Sequence, residues 1–239
     1  MRYRLPRNAS EKAGTDKLLS TSEPPRWRCS SVAVAAATMW VVAVIPSAVA
    51  SPAGVPRSRD LLVPLSQVQS IVVGFGGGST LHANLLENRT SPWVDHSRDA
   101  GLSVPCRHFV NEDEAFGSGW ANFASTRYSG SSNIGVSQRI AVYPDADAAH
   151  RTFQALKTAA WQCHLHPSPG VLDAGDALTE PEPETLVSQY PDSVNGPGSV
   201  AVDAVCGQVL VEVGAAHFST DPRIAQAVLA LITNKVPTC

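Results

Sequence analysis

Val136-Ser-Gln-Arg-Ile-Ala-Val-Tyr143, Pro144-Asp145 and Ala146-Asp-Ala-Ala-His-Arg-Thr-Phe-Gln-Ala-Leu-Lys-Thr-Ala-Ala-Trp-Gln-Cys163 read as a strand, a sharp turn and an amphipathic helix closed by a cysteine. The strand rests on alternation: Val136, Gln138, Ile140 and Val142 point one way, and Ser137, Arg139, Ala141 and Tyr143 the other. Pro144 lacks an amide donor and ends the strand, which leaves Asp145 as a helix N-cap. Ala149, Phe153, Leu156, Ala160 and Cys163 recur at steps of four and three and form one helical stripe, with His150, Arg151, Gln154 and Lys157 off it. Gln138 is the odd residue, a primary amide on the apolar face of the strand. Its carbonyl and amino group both need partners if buried. A structural hydrogen bond inside the fold is the preferred reading, a ligand-facing amide the other.

Outside this unit the charge is unevenly spread. Of 239 residues, the first 50 carry a net charge of +4 and the remainder −7, an asymmetry hidden by the whole-chain value of −3. So acidic a main part is a poor partner for nucleic acid, which demands a basic footprint. Val32 to Ile45 is free of charge and runs into Pro46-Ser-Ala-Val-Ala50. A basic region, an apolar core and the Ala48-Val49-Ala50 end predict a secretory signal cleaved before Ser51. An uncleaved signal anchor is the competing reading, because the run is near the roughly 20 residues needed to span a bilayer. Cys29 precedes the apolar run and is not placed as a lipoprotein cysteine. Three parts are expected: a leader over 1–50, a flexible linker over 51–60 and a domain over 61–239. Under either reading the domain is secreted or held at the cell envelope, and membrane contact comes only through an uncleaved N-terminal segment.

Within the domain, Leu61 to Gly74 reads as a helix with Ser66 as a candidate N-cap, and the glycine run from Phe75 to Ser79 as a loop rather than a phosphate cradle. Leu85 to Gly101 reads as irregular and polar. Glu112-Asp113-Glu114 lacks the alternating ligands of a Ca²⁺ loop and reads as a solvated surface turn. Trp120 and Phe123 are assigned to the core. His164 and His166, with no third ligand nearby, read as surface residues. Pro167 to Pro197 is expected to be the longest loop. Val200 to Cys206 and Gln208 to Val213 alternate around Gly207 as an antiparallel hairpin or one strand bent at that glycine. Asp221-Pro222 opens a last helix with Ile224, Val228, Leu231 and Lys235 on its stripe.

Four cysteines fall in the exported part, Cys106, Cys163, Cys206 and Cys239, and an even count there implies two disulfides. Four cysteines allow three pairings. Sequential pairing, Cys106–Cys163 and Cys206–Cys239, is our choice, and its second bridge would tie the last helix to a strand end.

The order Cys106, Gly119-Trp120, Tyr128, Val136-Ser-Gln138, Val142-Tyr-Pro-Asp-Ala146 with Ala148-Ala149, Phe153, Leu156, Trp161-Gln-Cys163 and Val202 to Cys206-Gly207 before a C-terminal helix resembles one family. It is similar to the PknH-like extracellular sensor domains, which include stand-alone exported mycobacterial proteins. The likeness covers about Leu61 to Cys239, and the run from the Gln138 strand to Trp161-Gln-Cys163 is its most specific part. The resemblance implies an α+β fold, a mainly antiparallel sheet with helices packed against it, two sequentially paired disulfides and an open cleft with polar residues near Gln138. No kinase domain is legible in residues 1–59, so signalling through a membrane would require a partner protein. The lipid-bearing cysteine of some relatives is missing.

The function expected is therefore a non-catalytic, sensor-like module that binds an unidentified small or envelope ligand, with no cofactor and no metal. Candidate ligand-binding residues are Arg107, Trp120, Arg127, Tyr128, Gln138, Arg139 and Tyr143. A structural or protein-interaction domain of the envelope is the alternative. An envelope hydrolase is disfavoured, since neither a Gly-x-Ser-x-Gly elbow nor a His-Glu-x-x-His pair occurs.

Overall fold

The computed structural model describes residues 55–239 apart from 79, 98, 168–176, 192–196 and 238, and leaves out the side chains of 85 and 86. The leader with its signal or anchor, Cys29 and the first four linker residues lie outside the described residues. Among the described residues no helix is long and apolar enough to cross a membrane.

Among the described residues, seven strands form one antiparallel sheet: β1 (His82–Arg89), β2 (Asn122–Ser129), β3 (Gly135–Val142), β4 (Ala177–Glu182), β5 (Thr185–Tyr190), β6 (Ser199–Cys206) and β7 (Val209–Ala216), in the order β1-β2-β3-β7-β6-β5-β4. The described α-helices are α1 (Ser58–Leu61), α2 (Leu65–Gly74), α3 (Val104–Val110), α4 (Glu112–Phe116), α5 (Ala146–Leu165) and α6 (Arg223–Thr233). The strand–turn–helix unit stands as its sequence reads. The Asp145 carboxylate accepts from the Ala148 amide at 2.7 Å, and α5 carries the chain from the middle of the sheet towards its far edge.

Alternation along β3 divides the core in two. Val136, Ile140 and Val142 join Val202, Val211 and Val213 beneath α2 and α6, which contribute Val68, Val72, Ile224, Val228 and Ile232. On the other face Ala141 and Tyr143 pack with Phe123, Leu186, Val205 and Leu210 beneath Phe153, Leu156 and Ala160 of α5 and Phe116 of α4. The result is three layers, helix–sheet–helix, each helix burying one stripe.

Gln138 is fully buried on the first face, and both of its polar atoms are engaged. The Val63 amide donates to its Oε1 at 2.8 Å, and its Nε2 donates to the Val63 carbonyl at 3.0 Å. Tyr128 donates its hydroxyl to that same carbonyl at 2.9 Å. The amide thus acts as a strand partner for a single residue of the segment between α1 and α2. Gln138→Leu should lower stability by about 1–3 kcal/mol, because it orphans a buried N–H. Urea unfolding would show this as a lower midpoint; an unshifted midpoint would mean the clamp is dispensable.

Several boundaries differ from the sequence expectation. The linker over 51–60 is cut short: Ser58 is buried and its amide donates to Asn122 Oδ1 at 2.6 Å, so the packed chain already includes α1. Helix α2 starts at Leu65 with Pro64, not Ser66, at its N-cap. Of the stretch expected to be irregular, Leu85 to Gly101, the first five residues instead complete β1, an edge strand whose pairing with β2 shifts register between Asn84 and Arg89. Such a bulge resets the side-chain alternation and removes the signal from the sequence. The expected long loop holds the β4–β5 hairpin, while residues 168–176 and 192–196 of it lie outside the described residues. Lys235 leaves the α6 stripe, and its Nζ donates to the Leu61 and Leu62 carbonyls at 3.0 and 2.8 Å. It thereby satisfies free carbonyls at the end of α1.

β6 and β7 form a hairpin rather than one bent strand, with Gly207 at φ +53° as the first residue of its two-residue turn. The disulfides are Cys106–Cys163, with Cα atoms 4.7 Å apart, and Cys206–Cys239, at 5.5 Å. The first ties α3 to the last turn of α5; the second ties the C-terminus to the end of β6.

Candidate functional site

Three successive rows on the α5 face of the sheet determine where a site can form. The first, Phe123–Ala141–Leu210–Val205, is apolar and lies under α5. Two residues along each strand comes Arg89–Ser125–Arg139–Glu212–Asp203, running from β1 to β6. The next, Ser137–Gly214–Ala201, is built of small residues. Alternation places all three on one face. A cavity of about 360 Å³ opens over the charged row, with Arg139, Glu212, Asp203, Ala201 and Tyr190 as its floor. Phe109, Asn111 and Glu112 line its α3–α4 side, Leu156 comes from α5, and Trp93 with Asp95 forms a lip.

Glu112 is the hub of the charged groups, its side chain only 9% exposed. It accepts from Arg89 Nη2 at 3.2 and 2.9 Å, from Arg139 Nε at 2.7 Å and from the Trp93 amide at 3.1 Å. Arg139 also donates through Nη1 to Glu212. Arg89 lies 5.2 Å from the centre of the Trp93 ring, a cation–π contact that fixes the lip to the network. The acidic Glu112-Asp113-Glu114 cluster is therefore not the solvated surface turn expected of it. It forms most of α4, and Glu112 turns inward to serve as the shared anion of two half-buried guanidinium groups.

Signs alternate from Arg89 through Glu112 and Arg139 to Glu212, and then Asp203 follows Glu212 with the same sign. Burial, then the Glu212 charge, pushes the Asp203 carboxyl well above the usual carboxylate range, and Arg139 offsets part of this. Burial likewise raises Glu212 despite its pair with Arg139. Burial and the neighbouring Asp203 push the Tyr190 phenol up. Around Arg139, burial opposes the charge, but Glu212 and Glu112 outweigh it and hold the guanidinium ionised.

A carboxyl with a raised folded-state pKa binds more protons folded than unfolded, so its contribution to stability falls as pH rises. Asp203 and Glu212 should therefore cost stability progressively above pH ~4, where the unfolded carboxyls ionise. Asp203→Asn should leave stability nearly unchanged at pH 4 and raise it by about 1–3 kcal/mol at pH 8, the scale for an uncompensated buried polar group. Melting curves of both proteins across that range test this, and parallel curves would show that Asp203 does not titrate anomalously.

Of the seven residues singled out from the sequence, Arg139 alone lines this cavity. Tyr143 is buried beneath α4, where it donates its hydroxyl to the Phe116 carbonyl at 2.6 Å and burial pushes its phenol up to about 12. Trp120 packs against Phe123 and donates from Nε1 to the Gly117 carbonyl at 2.9 Å. Tyr128 and Gln138 face the opposite layer and hold Val63. Arg127 stands beside Gly135 on the second strand, and Arg107 lies on α3 with Nη1 3.9 Å from Asp99. The structure does not gather these seven into one site.

Glu112, Asp203, Glu212, Tyr190 and Trp93 are among the cavity residues that sequence reasoning missed. Two of them carried a signal: Asp203 and Glu212 are lone acids inside apolar strands, Val200-Ala-Val-Asp-Ala-Val-Cys206 and Val209-Leu-Val-Glu-Val213. An acid at such a position is buried and therefore paired or functional. At the rim, His96, Asp99 and Glu114 bring possible metal donors within 4.8 Å of one another. Their oxygens are engaged internally, Asn111 Nδ2 donating to Asp99 at 2.9 Å and to Glu114 at 3.3 Å.

Sequence and structural comparisons agree with this fold. The crystal structure of the extracellular domain of PknH from Mycobacterium tuberculosis superposes with a TM-score of 0.57 at 18% identity, covering 78% of this chain and 97% of that one. No curated protein matches the chain by sequence. A family model described as the PknH-like extracellular domain matches residues 55–235, from the start of α1 to beyond the end of α6. With most of its length inside that match, this chain belongs to the PknH-like extracellular domain family.

Proposed function

We propose that this chain is an extracellular, sensor-like domain that binds a small ligand in the cavity above β3, β7 and β6. One observation carries the reading. A row of charged and titratable side chains, buried or half-buried between the sheet and the helices, faces a cavity of about 360 Å³. Ligand sites of this kind combine apolar walls with a few convergent polar groups, as Trp93, Phe109 and Leu156 do here around Arg139, Asp203 and Glu212. Binding rather than catalysis is favoured because Glu112, Arg139 and Glu212 are committed to one another as ion pairs. Export and any coupling to a membrane partner follow from the leader and the family, and form part of the same proposal.

Mass spectrometry of the protein taken from its native envelope, native against denaturing, tests it. A native mass higher by a discrete small-molecule increment, lost when Asp203 and Arg139 are substituted, is the expected result. A native mass of two chains with no increment would favour an interaction domain instead. That second reading has one support, the exposed Trp93, Val94, Val104 and Val110 near the mouth, with Trp93 54% exposed.

A further inference from the structure

We propose that the cavity takes an organic ammonium ion, whose positive charge sits against Asp203, with an apolar body against Trp93, Phe109 and Leu156. This rests on the cavity being a ligand site and names the class of ligand.

The observation behind it is where the alternation of charge stops. From Arg89 the signs run positive, negative, positive, negative through Glu112, Arg139 and Glu212, with every step an ion pair. Asp203 then stands cross-strand from Glu212, in register, with the same sign. It is 4% exposed and lines the cavity, and its carboxylate makes no hydrogen bond among the described residues. A buried carboxylate without a partner is costly, and like charges directly opposite on a sheet repel. The next charge the pattern calls for is positive, and among the described residues none lining the cavity supplies it.

The groups facing Asp203 leave the imbalance in place. Glu212 and Arg139 come from β7 and β3, Tyr190 from β5, Glu112 from α4 and Asp95 from the lip. Among the described residues Arg139 is the one cation lining the cavity, against four acids, and it is divided between Glu112 and Glu212. Burial and the Glu212 charge favour a protonated Asp203 while the cavity is unfilled. An arriving ammonium would stabilise the carboxylate, so its proton would leave to solvent on binding, and affinity should rise with pH while the amine stays charged.

A divalent metal fits less well. Glu212 is already held by Arg139, whose charge repels a dication more strongly than a monocation, and Trp93, Phe109 and Leu156 offer no oxygen to complete a metal's coordination. An ammonium on an apolar ring suits such walls.

The test uses matched fragment trios on several ring scaffolds, such as cyclohexylmethylamine, cyclohexylmethanol and cyclohexanecarboxylate, titrated into the full oxidised chain and followed by amide shifts. The amine of each trio should move the amides around Asp203, bind about tenfold or more tighter than its alcohol, as a charge-assisted hydrogen bond implies, and tighten between pH 6 and 8. Asp203→Asn is isosteric and should abolish that preference without unfolding the chain. Alcohols or carboxylates binding there as well as the amines, or amine affinity unchanged in Asp203→Asn, would overturn the ammonium inference and leave a ligand site standing. Shifts around the cavity from no fragment of any class would overturn the ligand site itself.

Discussion

Arg139→Met should destabilise the domain by about 3–5 kcal/mol at pH 7, the cost of leaving a buried ion pair without one of its members. Against a typical domain stability of about 5–15 kcal/mol, that is a large loss. Arg139 is the one group that touches both Glu112 and Glu212, and Asp203 lies within the field it creates. Methionine keeps much of the aliphatic stem, so the loss reports on charge rather than on packing. Two further results follow from the same physics. At pH 4 the deficit should shrink, because the abandoned carboxyls accept protons. Glu212→Gln added to Arg139→Met should recover part of the loss at pH 7, since it removes a charge the guanidinium had balanced. Urea midpoints at the two pH values decide the matter, and an equal deficit at both would assign Arg139 a packing role instead.

Replacing Cys106 and Cys163 together by alanine should cost about 4 kcal/mol, because reopening a loop of 57 residues restores that much chain entropy to the unfolded state. Removing Cys206–Cys239, which closes 33 residues, should cost nearly as much, as loop entropy grows only with the logarithm of length. The two bridges differ in what they hold. Cys106 and Cys163 are buried together against Leu102 and Phe109, and Phe109 lines the cavity. Loss of that bridge should raise hydrogen exchange throughout α3 and α4 and loosen Glu112. Loss of the other should leave α3 and α4 protected and fray the C-terminus after α6. Identical exchange patterns in the two variants would show that the first bridge does not brace the cavity wall.

Legibility varied along the chain for physical reasons. The unit from Val136 to Cys163 reads correctly because one face of its strand is wholly buried while Ser137 and Arg139 on the other are half-buried, and its helix buries one stripe, so burial is written as period two and then as a recurring three and four. The β6–β7 hairpin reads from Gly207 for the same cause. Edge strands β1 and β4 hide, because side chains in contact with water need no pattern. Asp203, Glu212 and Arg139 are visible as charges inside apolar strands, but nothing local says that they fall in one row. That depends on the register of β3, β7 and β6, which sequence spacing leaves open. Gln138 shows the converse: its burial is legible, but its partner, Val63, lies 75 residues away.

Residue order alone was enough for the β3–α5 unit, the β6–β7 hairpin and the last helix, the faces these bury, the even set of exported cysteines and the family likeness, since each is encoded in near neighbours or in residue type. Tertiary structure alone decided that Glu112 turns inward between two arginines and that Asp203 is left opposite an anion with a cavity above it. Those outcomes depend on where separate elements meet, and electrostatic cost is set by the distances and burial that meeting creates.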